Sequence, residues 1–130
     1  MAEKKYKILI VDDDEFLLNL YVSKFTKEGL DAETAAGGAA ALEKLKSGYI
    51  PDAMMLDMVM PGMGGLDLLT EIKKQKLGVG SIIIILTNQG APEDIAQATK
   101  LGADGFIVKA TSIPSEVLTE LLKILKERKK

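Results

Sequence analysis

The chain is 130 residues long and carries 17 Lys and Arg against 19 Asp and Glu, for a formal charge of −2; it has no cysteine and no histidine. That length fits one domain, 1–130, large enough to bury a core without disulfide or metal staples. The composition excludes a global basic field for nucleic acid, thiolate metal sites and the usual imidazole acid–base chemistry, which leaves carboxylates, lysine and hydroxyls to carry any reaction.

In chain order, Ile8 to Val11 is a continuous aliphatic run, the pattern of a strand buried on both faces. From Glu15 to Glu28, Leu17, Leu18, Tyr21, Val22 and Phe25 recur at helical spacing until Gly29. Asp31 to Ala36 reads as a weaker, edge strand, and Ala39 to Lys46 as a helix through Leu42 and Leu45. Ala53 to Leu56 is a third strand. A flexible, glycine-rich stretch from Pro61 to Gly65 leads into a helix carrying Leu66, Leu69 and Ile72. Ser81 to Leu86, rich in isoleucine, is the clearest strand and is expected at the centre of the sheet. Pro92 and Glu93 suit the first turn of a helix that runs to Leu101. Phe106 to Val108 is a short fifth strand, and Pro114 opens a last helix that reaches the basic tail Lys126 to Lys130. Five strand–helix units argue for a parallel sheet covered by helices on both faces, joined by right-handed crossovers.

The C-terminal ends of these strands carry the polar residues. Asp12 and Asp13 follow the first strand, Asp57 the third, Thr87 the fourth and Lys109 the fifth. In open parallel sheets that edge is where ligands bind. Asp12 and Asp13 taken alone suit capping or turn chemistry as well as function, and Asp14 suits a helix cap. The coincidence of four ends is the stronger signal. Three carboxylates brought together repel one another unless a hard cation joins them. A cation, a lysine and a hydroxyl around a carboxylate make a site for phosphoryl transfer, in which aspartate can act as nucleophile.

At these positions the chain resembles the receiver domain of two-component response regulators, of the stand-alone, chemotaxis-regulator kind. ILIVDDD, Ile8 to Asp14, is similar to that family's first strand and acidic pair. LDMVMPGMGG, Leu56 to Gly65, is similar to its phosphoacceptor loop, and Leu86-Thr87 and Val108-Lys109 to its remaining signatures. The resemblance implies an α/β fold of the flavodoxin-like type: (βα)5, doubly wound, with a five-stranded parallel sheet in the order 2-1-3-4-5. It implies that Asp57 accepts a phosphoryl group from the phosphohistidine of a sensor histidine kinase or phosphotransfer protein, with Mg2+ (or Mn2+) required. Asp13 and Asp57 would ligate the ion together with the backbone carbonyl of Val59, and Asp12 would act through a metal-bound water. Lys109 would pair with the phosphoryl group and Thr87 would move to meet it. Phe106 matches the aromatic position whose rotamer reports the state, although an aromatic suits a strand regardless.

Three departures from the family pattern stand out. Ala110 follows Lys109 where proline, often after a cis bond, is usual, and a cis bond to alanine costs about 3 kcal/mol. Asn88 replaces a smaller residue after Thr87. Val59 and Gln89 occupy positions that tune phosphoryl lifetime, and apolar Val59 is expected to orient hydrolytic water poorly and lengthen it. Asp12 and Asp14 also resemble the Asp-x-Asp signature of haloacid-dehalogenase-type phosphatases, with Asp12 as nucleophile and Thr87 in a second motif. That chemistry needs a further acid after a late strand, and Asp104 precedes that strand. A degenerate, unphosphorylated docking module would not need the full set Asp12, Asp13, Asp57, Thr87 and Lys109. No Gly-x-Gly-x-x-Gly follows the first strand, so a dinucleotide site is not expected.

The expected partners are therefore a kinase or phosphotransfer protein and a downstream protein docking near the fourth helix, fifth strand and fifth helix. Neither nucleic acid nor membrane is expected, and no output domain; the chain would act in the cytoplasm as a monomer or weak dimer. Met1 to Lys7 lacks the apolar stretch of a signal peptide, and Ile82 to Leu86 is too short to span a bilayer. In the last helix Val117, Leu121 and Ile124 form a core stripe. Leu118, Leu122 and Leu125 widen it, either as further core or as a partner patch. The basic end reads as a solvated terminus.

Overall fold

In the computed structural model, which describes residues 6–88, 90–109 and 113–128, strands and helices alternate along the whole chain. They are β1 (Lys7–Asp12), α1 (Glu15–Lys27), β2 (Asp31–Ala36), α2 (Gly38–Lys46), β3 (Ala53–Asp57), α3 (Gly65–Lys74), β4 (Ile82–Thr87), α4 (Pro92–Lys100), β5 (Gly105–Val108) and α5 (Pro114–Arg128). The sheet is parallel throughout, in the order β2-β1-β3-β4-β5.

The uninterrupted aliphatic runs are explained by where alternate side chains go. Ile8 and Ile10 of β1, Ala53 and Met55 of β3, and Ile82, Ile84 and Leu86 of β4 face one layer, packing with Leu18, Tyr21 and Phe25 of α1 and Val117 and Leu121 of α5. Leu9 and Val11, Met54 and Leu56, and Ile83 and Ile85 face the other, against Leu42 and Leu45 of α2, Leu68, Leu69 and Ile72 of α3, and Ala98 of α4. The three inner strands β1, β3 and β4 thus bury both faces, and their apolar runs cannot alternate with polar residues.

One expectation is corrected, and of the two readings of α5 the core one is supported. The isoleucine-rich β4 is interior but not central; β3 holds the middle of the sheet, with β1 on one side and β4 on the other. Isoleucine content reports burial on two faces, and β1, β3 and β4 all have that. In α5, Leu118 and Leu125 are buried and Leu122 packs half-buried against the same cluster, while Ile124 is only partly covered. The widened stripe is mainly core. No helix among the described residues is long and apolar enough to cross a membrane.

Candidate functional site

Register brings the site together before any side-chain contact does. Val11 of β1 pairs with Leu56 of β3, so the residues that end these strands, Asp12 and Asp57, stand side by side at the C-terminal edge. Side-chain alternation points both to the α1/α5 side of the sheet, in line with Ile8 and Ile10 and with Ala53 and Met55. Asp12 is 1% exposed and Asp57 4%, whereas Asp13, one residue beyond β1, lies on the exposed rim. One carboxylate oxygen from each of Asp12, Asp13 and Asp57 falls within a 4.8 Å span.

Lys109, just past β5, closes the cluster. Its Nζ donates to Asp12 Oδ2 at 2.9 Å and lies 3.4 Å from Asp57 Oδ1. The other oxygen of Asp12 accepts the backbone N–H of Asp14 at 3.0 Å. Burial, joined by the neighbouring Asp12 carboxylate, pushes the Asp57 pKa up to about 6, against a downward pull from Lys109 and a further push from Asp13. For Lys109, burial is the largest single influence and favours the neutral amine, but hydrogen bonding to Asp12 and the Asp57 and Asp12 charges outweigh it and raise its pKa. Two buried carboxylates and a third at the rim therefore share one lysine. A divalent cation with oxygen ligands fits this donor set, because it would offset the crowded negative charge that adds to burial in raising the Asp57 pKa.

Thr87 ends β4, is 3% exposed, and its Oγ1 accepts the Gly90 N–H at 3.2 Å. Val59 and Asn88 are exposed beside it, and Phe106 on β5 is 43% exposed. Gln89 and Ala110, together with the Lys109–Ala110 bond, lie outside the described residues. So do Lys129 and Lys130 of the basic tail.

Three contributors escaped the sequence reading. Gly64 and Gly65, read there as loop flexibility, instead allow close packing: a Cβ on Gly65 would sit 2.6 Å from the Asp57 carbonyl oxygen, and one on Gly64 2.7 Å from that of Met58. The Gly65 N–H bonds the same Met58 carbonyl at 3.0 Å. Together these contacts fold the loop back over the end of β3. Tyr21 was assigned to the core face of α1, and its ring is buried there. Its phenol also lies within the site's field: burial raises its pKa, with Lys109 pulling down and Asp12 and Asp57 pushing up. Asp94, from the first turn of α4, lines a cleft with Thr87. Only the Met-Pro-Gly-Met-Gly-Gly spacing hinted at the first of these.

The acids required by the phosphatase alternative do not converge. Asp14 caps α1, its carboxylate accepting the Leu17 N–H at 3.2 Å. Asp104 bonds the Ile83 N–H at 2.9 Å, at the opposite edge of the sheet.

Comparison with known proteins agrees with this geometry. The family model for the response regulator receiver domain matches residues 8–123. The chemotaxis protein CheY of Halobacterium salinarum is 39% identical over 109 residues, 84% of this chain and 88% of that protein. The response regulator SaeR of Staphylococcus aureus is 33% identical over 95% of this chain, which spans about half (52%) of that regulator. Among solved structures, a CheY-like receiver domain from Methanospirillum hungatei has a TM-score of 0.85 at 28% identity, covering 97% of this chain and 98% of that one. Chemotaxis protein CheY4 of Vibrio cholerae also gives 0.85 at 28% identity, covering 93% and 99%. Fold, acidic edge and family model define one class, and the chain belongs to the response regulator receiver family. It is a CheY-like receiver domain of two-component signalling.

Proposed function

We propose that Asp57 is the phosphoacceptor, taking a phosphoryl group from the phosphohistidine of a sensor kinase or phosphotransfer protein in the cytoplasm. The observation that carries this is the convergence of Asp12, Asp13 and Asp57 within 4.8 Å, with Lys109 bound across two of them. The Asp57 carboxylate lies at the end of the central strand, its backbone clamped by Gly65; burial disfavours its charge and Lys109 supports it. Deprotonated, it attacks phosphorus in line with the departing imidazole, which takes the P–N electron pair and leaves neutral because its other ring nitrogen already carries a proton. Lys109, already 3.4 Å from Asp57 Oδ1, pairs with the equatorial oxygens that gain charge. Asp13, Asp57 and the Val59 carbonyl would hold Mg2+ (or Mn2+), with Asp12 acting through a bound water. The ion supplies neutralisation of the carboxylate cluster and of the phosphoryl oxygens.

The switch follows from the same residues. Thr87 would exchange its bond from Gly90 for one donated to a phosphoryl oxygen, drawing the β4–α4 connection inward. Phe106, partly exposed on the neighbouring strand, would turn into the space released. The face formed by α4, β5 and α5 would then pass the change to a protein target as a shift between two pre-existing states. Incubation with Mg2+ and phosphoramidate should add one phosphoryl group per chain, and chelation of the ion should abolish it. Addition unaffected by chelation would refute the ion-dependent mechanism.

A further inference from the structure

A cleft of about 200 Å³ opens between the loop after β3 and the start of α4, lined by Met58, Val59, Thr87, Asn88, Ala91 and Asp94. It lies against the two residues that follow Asp57 and against Thr87, so it is the concave space beside the phosphoryl position on the α4 side. A small acyl phosphate would fit its volume. Among the described residues Asp94 is the sole ionisable one in that lining, and no cation among them lines the cleft beside it. Lys109 is engaged with Asp12 and Asp57, and the basic residue of α4, Lys100, stands in its last turn. The backbone at Asp94 is fixed, since its N–H bonds the Ala91 carbonyl at 3.0 Å. The N-terminus of α4 would ordinarily favour an anion through its free amides and dipole; the Asp94 carboxylate turns that end of the helix against one.

We propose that Asp94 selects the phosphodonor: its carboxylate keeps small dianionic phosphodonors out of the cleft and leaves Asp57 to be charged by a protein phosphohistidine. The inference rests on the reading of Asp57 as acceptor. In the disfavoured reaction an Asp57 oxygen bonds to phosphorus of acetyl phosphate while the P–O bond breaks and acetate leaves with its electron pair. The barrier added by Asp94 is electrostatic and falls on the approach of the dianion. A phosphohistidine arrives with an imidazole leaving group and is oriented by the docked protein surface, so it does not depend on diffusion through the cleft.

The test compares phosphorylation rate constants at saturating Mg2+ for acetyl phosphate, a dianion, and phosphoramidate, which carries less negative charge. Asp94→Asn should raise the acetyl phosphate rate about threefold and Asp94→Lys about tenfold, as expected of one and two charge steps near a partly screened site. Phosphoramidate should respond less, and high salt should erase the differences. Glu93→Gln removes the same charge from the same helix turn but is exposed and does not line the cleft; it should leave both rates unchanged. An unchanged acetyl phosphate rate in Asp94→Asn, or an equal rise in Glu93→Gln, overturns the proposal. If the label never reaches residue 57 in any variant, it is the acceptor reading that fails, and the donor proposal fails with it.

Discussion

Replacing Asp57 with asparagine should make the metal-free protein more stable, although it removes the residue proposed to carry its function. The Asp57 carboxyl is buried beside Asp12, and its pKa rises from 3.8 to about 6. At about 1.4 kcal/mol per pH unit, the charged form at neutral pH costs the folded state about 3 kcal/mol. Asparagine fills the same space without the charge but gives up the contact with Lys109 at 3.4 Å, so the net gain expected is about 1–3 kcal/mol. The sign fixes the pH window. Because the folded-state pKa is raised, the folded protein binds the proton more tightly, and the destabilisation is absent below pH 3.8. It grows as pH climbs to about 6 and is complete above that. Urea unfolding in chelator should therefore give Asp57→Asn a higher midpoint at pH 7, with the gap closing as pH falls from 6 towards 4. Added Mg2+ should stabilise the wild type and not the variant. A variant no more stable than wild type at pH 7, or a gap that does not depend on pH, would refute the reasoning.

Four further outcomes follow from the geometry. Gly65→Ala, which places a Cβ 2.6 Å from the Asp57 carbonyl oxygen, should cost about 1–3 kcal/mol in urea unfolding and slow phosphorylation by displacing the loop. Lys109→Met strands the buried Asp12 carboxylate, bonded at 2.9 Å in the wild type. It should cost about 3 kcal/mol without divalent cation, recover part of that with Mg2+, and lower the phosphorylation rate at least about tenfold. Val59→Asn, at a position 66% exposed, should leave the unfolding midpoint within about 0.5 kcal/mol. The same substitution should shorten the phosphoryl half-life several-fold in a release assay, by giving the attacking water a polar partner. Thr87→Ala removes the acceptor for the Gly90 N–H and should cost about 1 kcal/mol; phosphorylation should persist, with the downstream conformational shift lost by chemical-shift comparison.

The fold was legible because its three inner strands are buried on two faces. Runs such as Ile8 to Val11 and Ile82 to Leu86 have no solvent side to record, and glycine or proline marks most boundaries between units. The polar strand ends were legible for the complementary reason, since Asp12, Asp57 and Thr87 are polar residues at buried positions and break the pattern of their strands. What sequence could not supply is distance between elements. The strands' composition could not tell that β3 rather than β4 holds the centre, because both are apolar up to their last residue. Nor could it separate a glycine needed for flexibility from one needed for contact, and Gly65 is the latter. In the sequence nothing distinguishes Asp94 from Glu93, a first-turn acid that favours its helix dipole. Only the fold shows that it shares a cleft with Thr87.

The central claim, that Asp57 is the acceptor in a cation-dependent cluster, is tested most directly by locating the phosphoryl group. The protein should be charged with phosphoramidate in Mg2+, reduced with borohydride to convert an aspartyl phosphate to homoserine, digested and sequenced by mass spectrometry. Homoserine at position 57, and at no other aspartate, is the predicted result. Homoserine at position 12, or none in protein that has taken up phosphate, would contradict the account.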